Sequence, residues 1–247
     1  DPARDRIAYA DLEELDKWAL MRLNQLVRRV VGSYGRYEFH TVFHSITNFC
    51  IVDMSAVYLD ILKDRLYCSA AGDATRRKAQ SALHEILHAL LRLLAPILAF
   101  TTEEAWQFLP GDKEESVHLA RFPEPDARYD NAELDARWEK LLQVREQVLK
   151  QLELARERKE IGNSLEAHVT ITAGGEVFEL LSSCAAALAD MLIVSGVDLA
   201  QADGDATFSA VIKRAEGAKC QRCWKYHSND HPELCTRCAQ AVGSGNA

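Results

Sequence analysis

Four cysteines near the end of the chain are the residues whose type and spacing best suit chemistry. Cys220 and Cys223 form one C-x-x-C pair, and Cys235 and Cys238 form a second pair after eleven intervening residues. Each pair places two thiolates on one tight turn, and two such pairs complete the tetrahedron that Zn²⁺ prefers. Because four thiolates leave no position open for water, the spacing predicts one structural zinc per chain and no catalytic metal.

Other interpretations of these cysteines stay open. The pairs could be two redox sites, although no thioredoxin-like βαβ pattern surrounds them. His227 and His231 lie between the pairs and could replace a thiolate as ligands. Elsewhere, Cys50, Cys68 and Cys184 lie within or beside apolar stretches, and they are predicted to be ordinary buried thiols.

The distribution of charge gives a mixed indication about nucleic acid. The formal net charge is −8, whereas phosphate binding requires lysine and arginine. Two segments depart from this balance: residues 22–36 contain four arginines and no acid, and residues 213–237 contain six basic and three acidic residues. Each segment could bind phosphate or could be an ordinary solvated face.

Helices must position most of these groups. Apolar residues recur every three or four positions in residues 12–30, 38–62 and 76–94. Two glycines follow the first segment, and Pro96 is expected to kink or end the third. Three or four such helices with short connections make an α-helical bundle.

The second half has a different pattern. Residues 110–130 contain prolines, acids and no periodicity, which indicates a surface connection. Residues 134–155 predict one long helix. Residues 168–172 alternate like a strand, and a glycine turn and a short helical run separate them from a second strand-like stretch at 193–199.

The predicted fold class is therefore mainly α, with a small α/β region and a four-cysteine zinc knuckle. Trp18, Trp106 and Trp138 lie on apolar helix stripes and are predicted to be core residues. The predicted domains are a helical domain at 1–125, a long helix with a small α/β junction region at 126–216, and a zinc-binding module at 217–247.

Neither a membrane segment nor a secretory leader is predicted. Residues 87–100 are the longest apolar run, but they are too few to cross a bilayer and include Arg92 and Pro96. The chain begins at Asp1 without a leader, which favours a piece of a longer protein. Clustered cysteines argue against a disulfide framework and favour a reducing cytoplasm.

Several stretches resemble, in the same order, the C-terminal region of bacterial-type isoleucyl-tRNA synthetases. Motifs between residues 39 and 67 resemble the anticodon-binding helices of that family. Residues 95–106 resemble a helix junction shared with the valine and leucine enzymes. Residues 159–167 resemble the turn into the junction region, and residues 215–235 resemble the terminal zinc module, a motif shared with some DNA-repair glycosylases.

This resemblance implies the tRNA-recognition part of a ligase that uses ATP, isoleucine and its tRNA. The implied partners are the anticodon stem-loop of isoleucine tRNA and the rest of the same synthetase chain, with the protein a monomer. The H-I-G-H and K-M-S-K-S signatures are absent, and so is any G-x-G-x-x-G or Walker loop. No catalytic residue is assigned, and ATP would bind only in a catalytic domain outside this sequence.

Candidate RNA contacts follow from the resemblance and from the chemistry of unpaired bases, which can be stacked or read on their edges. Lys63 is the first candidate for base discrimination, with Asp64 and Arg65 beside it. The alternative is a charge cluster that stabilises a helix end. Further candidates are Phe39, His40, His44, Asn48, Arg222 and Trp224; the two histidines could equally be packed polar residues.

Two functions of other classes compete with this interpretation. A zinc-bearing DNA-binding or repair module would explain the knuckle, but the helical bundle and the lack of an N-terminal Pro-Glu start argue against it. A scaffold without nucleic acid would explain the acidic net charge. Binding to tRNA and to duplex DNA at two salt concentrations would separate the three.

Overall fold

The computed structural model describes residues 1–203, 208–228 and 233–243. The chain forms two compact units, one of Asp1–Leu66 with Ala71–Asp135 and one of Tyr67–Ala70 with Ala136–Ala247. The predicted fold class is confirmed: helices dominate, a small mixed sheet follows, and four cysteines gather near the C-terminus.

The first unit is a helical bundle built on amphipathic stripes. Its helices are α1 Pro2–Asp5, α2 Glu14–Gly35, α3 Phe39–Asn48, α4 Leu59–Cys68, α5 Ala74–Leu94 and α6 Ala99–Phe108, of which α4 ends in the second unit. Trp18 and Trp106 are 2% and 1% exposed, so their predicted core positions are confirmed. Helix α2 continues to Gly35, because a helix interior tolerates glycine at a cost of about 1 kcal/mol.

The stretch between α3 and α4 is a π-helix, Phe49–Tyr58, that periodicity did not predict. Together these elements make one helix, Phe39–Cys68, which is long and apolar enough to cross a membrane by length and composition. Half of its most apolar window is buried within the protein. That burial is typical of a core helix in a globular bundle, and we interpret the stretch in this way.

The connection after α6 runs without regular structure except for a 3₁₀ turn at Ala127–Tyr129. Asn24, a buried residue of α2, fixes it through two reciprocal bonds. The Asn24 side-chain amide donates to the Asp126 carbonyl at 2.8 Å, and the Asp126 backbone N–H donates back to Asn24 Oδ1 at 2.8 Å. The polar side chain is thereby satisfied inside the bundle.

The second unit packs helices on a three-stranded sheet. Its main elements are α7 Ala132–Glu157, which begins in the first unit, β1 Ala167–Ala173, α8 Gly175–Ser183, α9 Ala185–Met191, β2 Gly196–Gln201 and β3 Phe208–Arg214. Strand β1 is central; it pairs in parallel with β2, His168 opposite Gly196, and antiparallel with β3, Val169 opposite Ile212. Strand β3 lies outside the predicted pattern.

The core of this unit forms along one face of α7. Trp138 is 4% exposed, which confirms its predicted core position. Arg145 is the one polar residue on that stripe, and it is also buried. Its guanidinium Nε donates to the Met191 carbonyl at 3.0 Å, so the charged group is hydrogen-bonded at the end of α9.

Candidate metal centre and nucleic-acid interface

The four predicted cysteines converge at the C-terminal end of the second unit. Their sulfur atoms all lie within 4.8 Å of one another, and Cys220, Cys223 and Cys238 are buried. Cys223 Sγ and Cys235 Sγ are 3.7 Å apart. Four sulfurs at the usual Zn–S bond length of about 2.3 Å in a tetrahedron would lie about 3.8 Å apart. The donor set therefore fits a zinc ion.

Backbone geometry prepares these thiols for a cation. Burial opposes ionisation at Cys220, but backbone N–H groups of Cys223, Cys235 and Arg222 aimed at its sulfur lower the pKa to about 6. Burial raises the pKa of Cys223 to about 11. Several thiolates in one buried site repel each other, so a divalent cation is needed to hold all of them ionised.

Short strands shape the knuckle. Strand β4, Ala218–Lys219, pairs antiparallel with β5, Tyr226–His227. Gly217 precedes β4 with φ of +96°, and a Cβ at that position would lie 2.2 Å from the His227 carbonyl oxygen. Only glycine fits this close approach. Tyr226 N–H donates to Ser195 Oγ at 2.7 Å, and Lys225 pairs with Asp190, so the knuckle is fixed to the rest of its unit.

The structure bears on the alternative metal ligands and on the three cysteines outside the cluster. His227 is not among the groups that converge with the four sulfurs, and His231 lies outside the described residues. No disulfide joins any of the seven cysteines, all of which lie in the described part of the chain. Of the three predicted buried thiols, Cys68 is buried, whereas Cys50 and Cys184 are only partly buried.

Trp224 projects from the knuckle into solvent. Its backbone has φ of +65°, an uncommon conformation for a bulky residue, and its side chain is 59% exposed. The Trp224 N–H donates to the Cys220 carbonyl at 2.9 Å, which holds the turn. Lys219 Nζ lies 5.8 Å from the centre of the indole ring, within range of a cation–π contact. Arg222 is partly buried.

The predicted candidates on α3 share one exposed face. Phe39, His40, His44 and Asn48 are all exposed; His40, His44 and Asn48 recur every four residues, and Phe39 directly precedes His40. Phe43, which sequence reasoning did not select, lies between them and is 60% exposed; its ring contacts His44 edge to face. Exposed phenylalanines on a helix that buries its opposite face indicate a binding surface.

The three charged residues predicted to end a helix lie inside α4, which continues to Cys68, and they do not share one environment. Lys63 points to solvent, with 68% of its side chain exposed and its Nζ 2.8 Å from Asp60 Oδ1. Asp64 is partly buried. Arg65 is only 17% exposed, and its guanidinium pairs with the fully buried Asp16. Lys63 is therefore accessible to a ligand, whereas Arg65 is held by its ion pair with a buried residue.

Most of the basic residues in the first arginine-rich segment have acidic partners. Arg22 binds Asp53 at 3.1 Å, and Arg28 pairs with Asp130. Arg36 binds Glu38 at 2.8 Å. The solvated-face interpretation thus fits Arg28 and Arg36, whereas Arg22 is partly buried against the buried Asp53.

The family model described as "Anticodon-binding domain of tRNA ligase" matches residues 16–171, which is more than half of the chain. The chain therefore belongs to this family of anticodon-binding domains. The matched region contains α3, the π-helix and α4, whose exposed side chains are described above.

The curated relatives that this chain resembles are isoleucine–tRNA ligases. The chain is 46% identical to the isoleucine–tRNA ligase of Desulforamulus reducens, and the match covers 98% of the chain and 28% of that protein. It is 47% identical to the isoleucine–tRNA ligase of Carboxydothermus hydrogenoformans, over 97% of the chain and 27% of that protein. The chain thus spans little more than a quarter of the length of these curated relatives.

Proposed function

We propose that this chain is the tRNA-recognition part of an isoleucine–tRNA ligase, the enzyme that joins isoleucine to its tRNA with ATP. The family match and the relatives support a tRNA ligase, and the absence of class I catalytic motifs supports a non-catalytic role for this segment. We further propose that the ligase acts as a monomer in the cytoplasm; the lack of disulfides among the seven cysteines, all in the described residues, supports the reducing compartment.

The observation that carries the proposal is the exposed aromatic face of α3 together with a solvent-facing lysine on α4, further along the same helix. Phe39 and Phe43 are 53% and 60% exposed, and His40 and His44 lie next to them on the same helix. Anticodon bases are unpaired and can be stacked on such rings, and a lysine can reach a base edge or phosphate. Lys63 is our first choice for base discrimination.

The zinc knuckle has a separate role in this proposal. Four thiolates would hold one structural Zn²⁺, which would fix the turn that presents Arg222 and Trp224. A fixed turn lowers the entropy that RNA binding must otherwise offset. The indole ring would then stack on a base, with Lys219 beside it for a phosphate.

Binding to tRNA with wild-type and swapped anticodons tests the proposal. Lys63→Ala should lower the affinity of the complete ligase for isoleucine tRNA by about 1–3 kcal/mol and weaken discrimination at one anticodon position. ATP-dependent activation of isoleucine, which needs no tRNA, should stay unchanged. Lys150→Ala is the matched control, because Lys150 is also 68% exposed and pairs with an acid, Glu146, on its own helix.

The pattern of failure is informative. If Lys63 contacts a phosphate, the substitution will weaken binding to all tRNAs alike. It will also reduce the slope of log affinity against log salt concentration by about one. If Lys63→Ala behaves as Lys150→Ala does, Lys63 is a solvated helix residue and the assigned surface is wrong. Equal binding to duplex DNA would favour the DNA-repair alternative, and binding to neither would favour a scaffold.

A further inference from the structure

One buried carboxylate holds two residues of the helix that carries Lys63. Asp16, on α2, is fully buried. The hydroxyl of Tyr58, also fully buried, donates to Asp16 Oδ1 at 2.8 Å. The guanidinium of Arg65 donates to the same oxygen. All three residues lie in the first unit.

The spacing of the two donors fixes the rotation of α4. Tyr58 ends the π-helix, and Arg65 lies seven residues later, which is about two turns of an α-helix on the same face. A helix tied at two points on one face cannot turn about its axis. Lys63 lies two residues from Arg65, about 200° around the helix, and it therefore faces solvent.

The π-helix makes this constraint necessary. In a helix with i to i+5 bonds, a change to regular α-helical bonding would shift the following residues by about 100° for each residue of register. The Arg22–Asp53 pair holds the middle of the π-helix to α2, at 3.1 Å. The Asp16 carboxylate then sets the register where α4 begins.

Stability alone does not account for this network. Removing an arginine and a carboxylate from water costs more than an exposed pair returns, and apolar replacements are often more stable. Within the part of the chain that the structure describes, Asp16 Oδ2 and Arg65 Nε have no hydrogen-bond partner. The unsatisfied atoms are a further cost to stability. Buried ionic groups of this kind can instead be retained because they fix one geometry.

We infer that Asp16, Tyr58 and Arg65 are positioning residues that fix the direction in which Lys63 faces the anticodon. The inference rests on the proposed function. It assigns Arg65 an indirect role, in place of the direct RNA contact that the sequence predicted.

A double-mutant cycle in the complete ligase tests the inference. Tyr58→Phe removes one hydroxyl and leaves the ring, and Arg65→Ala removes the second donor. Each is made alone and with Lys63→Ala, and affinity is measured for isoleucine tRNA and an anticodon-swapped variant. Arg6→Ala is the control, because it removes another arginine–carboxylate pair, with Glu85 at 2.6 Å, from the same unit. Circular dichroism and thermal melting report whether each variant folds.

The discrimination ratio is the affinity for isoleucine tRNA divided by the affinity for the anticodon-swapped variant. When Lys63 is present, Tyr58→Phe and Arg65→Ala should each lower this ratio by about fivefold or more. Neither should lower it further once Lys63 is alanine, since both act through that side chain. Arg6→Ala should leave the ratio unchanged.

Three results would overturn the inference, and each differs from the others. Arg65→Ala could weaken both tRNAs equally in both backgrounds and reduce the salt dependence, which would make Arg65 a direct phosphate contact. Tyr58→Phe could fold normally and leave anticodon discrimination intact although Lys63→Ala lowers that discrimination. This result would disprove the positioning role and leave the proposed function standing. If Lys63→Ala itself has no effect, the proposed reading surface fails and this inference fails with it.

Discussion

At the scale of single residues, neighbours in sequence differ because their environments differ. Lys63 and Arg65 are two positions apart, yet one faces solvent and the other pairs with a buried carboxylate. His88 gives another case. Its ring stacks on Trp106 with centroids 5.2 Å apart, and burial, together with the charge of Arg92, lowers its pKa to about 4. Protonation of this histidine therefore destabilises the folded bundle.

The depressed pKa of His88 predicts how stability depends on pH. The unfolded chain binds a proton at His88 near pH 6.5, whereas the folded protein does so only near pH 4. The unfolded state therefore binds more protons across this window, and His88 makes the protein less stable as pH falls from 6.5 to 4. Thermal melting at several pH values should show this loss of stability, and His88→Gln should reduce the loss. His40→Gln, at an exposed site, should leave the loss of stability unchanged. An equal loss of stability in both variants would contradict the assignment to His88.

At the scale of elements, end groups decide where helices begin. Asp73 precedes α5, and its carboxylate accepts from the backbone N–H groups of Thr75 at 2.8 Å and Arg76 at 3.3 Å. These bonds satisfy donors that have no partner within the helix. The observed helix, Ala74–Leu94, accordingly agrees closely with the predicted segment 76–94.

Removal of this cap should have a measurable cost. Asp73→Ala should lower the free energy of unfolding by about 1 kcal/mol, because two backbone donors lose their acceptor. Urea denaturation followed by circular dichroism measures the change. Asp112→Ala, in an exposed bend, is the control and should have little effect. Equal effects of the two substitutions would mean that the cap contributes nothing specific.

At the scale of the whole molecule, the chain consists of two compact units with different means of stabilisation. The first has an extensive apolar core of helices. The knuckle in the second unit has few apolar residues, and its buried cluster consists largely of cysteines. A segment with so small a core depends on a metal for folding.

Loss of metal should therefore affect one unit more than the other. Purified without chelator, the protein should contain about one zinc per chain. Chelation or Cys220→Ser should unfold the knuckle and leave most of the helical signal of the first unit, as circular dichroism and calorimetry would show. Cys184→Ser, at a partly buried thiol of the same unit, should change neither. A metal content below about half an equivalent, with all four thiols reactive, would contradict this prediction.

The sequence by itself determined the features that depend on local spacing. Two C-x-x-C pairs predict a cluster wherever the turns meet, and the periodicity of residues 76–94 predicts α5, because both patterns follow from backbone geometry over a few residues. Motif order indicated the tRNA ligase family for the same reason, since each motif is short and contiguous.

Tertiary structure alone decided the features that depend on distant partners. From the sequence, Arg65 was predicted to lie at a helix end and to contact RNA. In the structure, its guanidinium instead pairs with Asp16, which is 49 residues away in sequence. Strand β3 has a weak alternating pattern, and its pairing with β1 across about 40 residues defines it. Within the π-helix, Asp53 and Tyr58 both meet partners on α2, 31 and 42 residues away in sequence. Contacts between residues far apart in sequence carry no local signature, so packing alone could reveal them.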